Sequence, residues 1–181
     1  MGAPKRRAMK RAHATPSRLN AGRASTAESR NLSGRSGSPS NIDKADGTPL
    51  CLVPELRANP HAWVKLWKHH AAQPEADRIN ETAARMSQAW LPKYGGKISS
   101  EWFFAKALQI LDEAPEVYAA ADRLIEAADW VVWRLTGVET RNPTTAGYKA
   151  IWSRHDGFPD RSYFEALDPR LADVVDTKMS R

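Results

Sequence analysis

Every Phe, Trp and Tyr of the chain lies between Trp63 and Phe164, and the first 46 residues contain none of them. That segregation constrains the fold more than any single motif. A segment without aromatics and with only scattered aliphatics such as Leu19, Leu32 and Ile42 cannot offset the backbone entropy of ordering, roughly 1–2 kcal/mol per residue. Charge divides at the same place. The net charge is +6 for the whole chain, yet residues 1–46 hold 10 basic and 3 acidic side chains, and residues 47–181 hold 17 and 18. The basicity belongs to the leading segment alone. Residues 1–46 therefore read as a disordered basic tail foreign to the domain, and residues 47–181 as the folded part.

Three functional readings compete with plain disorder for the tail. Lys5-Arg6-Arg7 and Lys10-Arg11 form a patch of the kind used for nucleic-acid binding or nuclear targeting. The Arg- and Ser-rich, acid-poor composition matches an organellar transit peptide. Myristoylation at Gly2 fails because Arg6 stands where Ser or Thr is required. The absence of aromatics argues against stacking on single-stranded nucleic acid, so nucleic acid is not the expected partner. No apolar signal core or 18-residue apolar run is present, so a membrane partner is not expected. The lone Cys51 excludes an intramolecular disulfide and fits a reducing, cytoplasmic location. His69-His70 is not expected to hold metal, since adjacent residues on a helix point in different directions.

From Gly47 the sequence predicts a mainly helical domain. Asp46-Gly47 is a turn signal, and the apolar run 50–53 suits the end of a β-hairpin. Asn59-Pro60 predicts a helix start, with Trp63, Leu66, Trp67 and His70 on one face. Pro74 opens a second helix with a stripe of Ile79, Ala83, Met86 and Trp90. Ser99 or Ser100 caps a third, with Phe103, Ala107, Ile110 and Leu111 inward. A short helix runs from Pro115 through Ala121. Residues 127–136 form another, packed through Trp130, Val131 and Leu135 and closed by Gly137. Helices with one-sided stripes and a single convincing strand suggest one layer of an α/β structure whose sheet is missing.

Five stretches carry a family resemblance: residues 63–72 (WVKLWKHHAA), 94–103 (YGGKISSEWF), 106–111 (KALQIL), 129–137 (DWVVWRLTG) and 145–152 (TAGYKAIW). In this order they resemble the L-ribulokinase branch of the FGGY carbohydrate kinases, from about Asp46 to Arg181. His69, where many sugar kinases carry an acid, favours that branch. The resemblance implies an α/β, actin-like (ribonuclease-H-like) kinase of which this chain is an incomplete N-terminal domain. It implies transfer of the γ-phosphoryl of ATP, with Mg2+, to the terminal hydroxyl of L-ribulose, in bacterial L-arabinose catabolism.

The family's phosphate-binding hairpin would precede the matched region, and its catalytic Asp and adenosine site would follow Arg181. On that expectation the chain alone binds no ATP or Mg2+ and is inactive. Within the match, the resemblance makes Lys149 a ligand of the ribulose hydroxyls, with Gly147 permitting close backbone approach and Glu101 and Trp102 lining the cleft. Lys106 and Asp129 read as structural. The competing classes are a non-catalytic sugar-binding remnant, a different pentulose or polyol kinase, and a nucleic-acid-binding protein acting through its tail.

Overall fold

The computed structural model describes residues 40–179. The readings made for residues 1–39 lie outside the described residues. The expected boundary at residue 46, however, moves. Ser40–Asp43 forms strand β1, paired antiparallel with β2 (Arg123–Glu126) in the register Ile42 opposite Leu124 and Asp43 opposite Arg123. Ile42 and Asp43 are buried. A strand of the described structure therefore lies inside the stretch read as tail. Two strands are present among the described residues where one was expected, because Arg123-Leu124-Ile125-Glu126 is too short between helices to announce itself.

Asp46-Gly47 is a turn as expected. Gly47 adopts φ +79°, its amide donates to the Lys44 carbonyl, and the Thr48 amide donates to the Asp46 carboxylate. An added Cβ at Gly47 would stand 3.2 Å from the Trp133 ring, so glycine is required there for conformation and for space. The run after it is not a strand. Leu50–Leu52 makes a 3-10 turn.

Seven α-helices follow among the described residues. Helix α1 (Gln73–Arg85) opens with Pro74 and buries Ala76, Ile79 and Ala83 against α2 (Phe103–Glu113) and α6 (Arg161–Leu167). It stops at Arg85, so Trp90 reaches the core from the loop. Asn80 fixes the approach to α2, its side chain accepting from the Ile98 amide and donating to the Ile98 carbonyl. The N-cap of α2 is Trp102, not the serines, and no side chain caps it. Its nine residues from Phe103 to Leu111 are all buried, so α2 is surrounded rather than one-sided. Phe104 packs on Phe103, Phe158 and Phe164, and the Tyr163 hydroxyl donates to the Ile79 carbonyl deep in the core.

Helix α3 (Pro115–Ala120) leads into β2, then α4 (Ala127–Thr136), α5 (Pro143–Lys149) and, after α6, α7 (Val174–Lys178). Gly137 closes α4 in the left-handed conformation expected of it. Of the expected packing face of α4, Trp130 is partly buried, its indole N–H donating to the Gly47 carbonyl, but the other two residues face outward. Leu135 is 82 % exposed and Val131 46 %, while Trp133 and Asp129 are the buried residues.

The predicted helix at Asn59-Pro60 is a second correction. It lasts only from Pro60 to Ala62, capped by the Asn59 side chain. Residues 63–72 then cross the surface without helix, leaving Trp63 and Leu66 exposed. The segment is held by side chains instead of its own backbone ladder. Trp63 donates its indole N–H to the Arg57 carbonyl, and Lys106 donates to the Leu66 carbonyl.

Candidate functional site

Lys149 ends α5, and the position of that helix is set from both sides. Asn142 caps it by accepting from the Thr144 and Thr145 amides, with Pro143 supplying the first helical φ. The Asn142 amide in turn donates to Asp129 of α4, and Arg141 donates to the Leu124 carbonyl of β2. Asp129 thereby ties the start of α5 to α4. These bonds hold α5 beside the strand end where Glu126 sits, and Lys149 Nζ comes 4.0 Å from the Glu126 carboxylate. Both side chains are nearly closed to solvent.

The surface-crossing segment 63–72 covers this pair. Lys149 Nζ stands 4.4 Å from the centre of the Trp67 ring, a cation–π contact. The Trp67 indole N–H donates to Glu101 Oε2 at 2.5 Å, and His70 Nε2 lies 3.4 Å from Glu101 Oε1. Behind them, Lys106 is 1 % exposed, and burial pushes its ammonium pKa down to about 8, with Glu126 opposing that shift and Lys149 adding to it. The result is two ammonium groups, two carboxylates and one indole face in a single partly dry cluster.

Of the four candidate residues, the structure brings Lys149 and Glu101 together, joined by Trp67. Lys149 is 5 % exposed, so it is not an open surface charge. Gly147 stands two residues earlier in α5. The close approach it permits is to its own chain, since an added Cβ would lie 3.2 Å from the Trp152 carbonyl oxygen. Trp102 is half-buried against Tyr94 and Tyr148, on the rim of a separate cleft of about 350 Å3. A larger open cleft of about 550 Å3 is lined by His61, Lys65, Leu66 and Gln109, and by none of the four.

Trp67, Glu126 and Lys106 are the members that sequence reasoning missed. Trp67 was assigned to a helix stripe that does not form. Glu126 carries no local signal, because its place depends on the β1–β2 pairing. Lys106 sits in a helix whose other buried residues are apolar except Gln109, and a cation there is the available sign.

The arrangement suits polyhydroxy compounds. Ammonium groups donate to hydroxyl oxygens, carboxylates accept from hydroxyl protons, and an indole face packs on sugar C–H groups. Among the described residues no three His, Cys, Asp or Glu side chains converge as metal ligands.

No family model matches the chain. Whole-protein comparison does find relatives. The chain is 57 % identical over 135 residues to the ribulokinase of Geobacillus thermodenitrificans (strain NG80-2), covering 75 % of the chain and 24 % of that protein. It is 58 % identical over 138 residues to the ribulokinase of Mycolicibacterium smegmatis, covering 76 % and 24 %. The ribulokinase of Staphylococcus aureus (strain Newman) matches at 38 % over 132 residues, covering 73 % and 24 %. The chain belongs, as a partial sequence, to the ribulokinases of the FGGY family. It spans about a quarter of the length of the relatives it matches. The matched lengths, 135 and 138 residues, are close to the length of residues 40–179.

Proposed function

We propose that residues 40–179 supply part of the sugar-binding side of an ATP-dependent L-ribulokinase, which makes L-ribulose 5-phosphate in the cytoplasm. The observation that carries this is the Lys149–Trp67–Glu101 contact, a donor, an apolar face and an acceptor held together by residues from three separate segments. In this reading Lys149 donates to the ribulose hydroxyls, Glu101 accepts from one, and the partly buried Trp67 covers the sugar's C–H face. Gly147 keeps α5 close to Trp152, and Trp102 steadies the helix through Tyr148. The two-strand sheet and its helices belong to a larger actin-like α/β domain. Phosphoryl transfer needs an ATP and Mg2+ site contributed by kinase sequence beyond these residues.

The test pairs two assays on the 181-residue chain. Calorimetric titration with L-ribulose should show saturable binding, while a coupled assay with Mg-ATP and L-ribulose should show no ADP release. Turnover near ordinary kinase rates, about 1–100 per second, would overturn the partial-site reading. Absence of L-ribulose binding would overturn the sugar assignment.

A further inference from the structure

Lys106 has no obvious reason to be a lysine. It lies mid-way along α2, nearly without solvent contact, with the charges of Glu126, Lys149 and Glu101 acting on it. A desolvated ammonium is costly, and an unbranched apolar side chain of similar length would fill the same space without that cost. Packing alone would favour methionine.

What the ammonium does is grip one atom. Lys106 Nζ donates to the Leu66 carbonyl at 2.9 Å, and the His69 amide donates to the same carbonyl at 3.1 Å. That oxygen anchors the turn that carries Trp67. The segment around it has no helix to hold its height above the domain. Trp67 then presents its ring to Lys149 and its N–H to Glu101. A shift of the Leu66 carbonyl by one ångström would disturb both contacts at once.

We propose that Lys106 is the positioning residue of this site: by holding the Leu66 carbonyl it sets the Trp67 ring over Lys149 and so tunes the site for a polyol. This rests on the sugar-binding reading for its ligand, but the geometric part can be tested without any ligand. It also replaces the expectation, from sequence, that Lys106 is merely structural.

The experiment compares the unmutated 181-residue chain with Lys106→Met. Three quantities are read: melting temperature, the 15N–1H signal of the Trp67 indole (assigned with Trp67→Phe), and the L-ribulose dissociation constant. The melting temperature should hold or rise, the Trp67 indole signal should move to the position of a free indole, and L-ribulose should bind about tenfold more weakly. An unmoved Trp67 signal in a folded Met variant overturns the proposal. Should that variant fail to fold, the unmutated chain decides through the scalar coupling across the Lys106 Nζ to Leu66 carbonyl hydrogen bond. Its detection supports the proposal and its absence overturns it. If the unmutated chain binds no L-ribulose, the sugar reading fails, and the indole signal still decides the role of Lys106.

Discussion

Lys149 Nζ lies 4.4 Å from the centre of the Trp67 ring, while the same indole donates its N–H to Glu101. One side chain thus serves a cation through its face and an anion through its edge. A partly desolvated cation–π contact contributes on the order of 1–2 kcal/mol. Trp67→Ala should weaken L-ribulose binding about tenfold, whereas Trp67→Phe, which keeps a ring face, should lose less. Calorimetry on both variants checks the order. Equal losses would mean the ring face does not matter.

Asp43 predicts a pH dependence of stability. It is fully buried at the end of β1, and neither carboxylate oxygen has a hydrogen-bond partner among the described residues. Burial pushes its pKa up to about 7 from 3.8, against the opposing pull of Arg141 and Arg134. A raised acid pKa means the folded state prefers the proton. The associated stability is fully present below pH 4 and is lost as pH rises toward 7. Asp43→Asn should therefore raise stability at pH 8 by about 2–4 kcal/mol and flatten the decline between pH 5 and 8. Urea unfolding at the two pH values measures it, and an unchanged slope would show that Asp43 is already satisfied by another group.

Much of the helical layer was legible in the sequence because its signals are local. Pro74, Pro115 and Gly137 mark helix ends through their own backbone preferences, and the structure places α1, α3 and α4 there. The strands were not legible. Ile42 and Leu124 stand about eighty residues apart, and only their pairing makes either a strand. The same non-locality hid half of the site. Lys149 was found by the family resemblance, but Glu126 reaches it through the sheet, and Trp67 reaches it because residues 63–72 decline the helix their spacing suggests. That segment is held in a non-helical path by distant partners: the Leu66 carbonyl accepts from Lys106, and Trp67 donates to Glu101. Tertiary partners overrode periodicity.

Gly147 offers a test of backbone fit in α5. Replacing a helical glycine with alanine ordinarily stabilises by about 0.5–1 kcal/mol. Here the new Cβ would press on the Trp152 carbonyl at 3.2 Å. That carbonyl has little freedom, because Ile151 before it holds φ +57° and the Trp152 amide is tied to the Ala146 carbonyl. Gly147→Ala should therefore destabilise by roughly 0.5–1.5 kcal/mol instead. A denaturant midpoint that rises would show that the 151–152 turn yields.

The central claim, that this cluster binds L-ribulose through Lys149, is tested most directly by calorimetric titration of Lys149→Met. Lys93→Met serves as control, because Lys93 pairs only with Asp156 on the surface. Losing a charge-assisted hydrogen bond costs about 1.5–3 kcal/mol, or roughly ten- to a hundredfold in dissociation constant. The account predicts that loss for Lys149→Met, with Lys93→Met indistinguishable from the unmutated chain and the Lys149→Met fold intact by circular dichroism. Unchanged L-ribulose affinity in a folded Lys149→Met variant would contradict it.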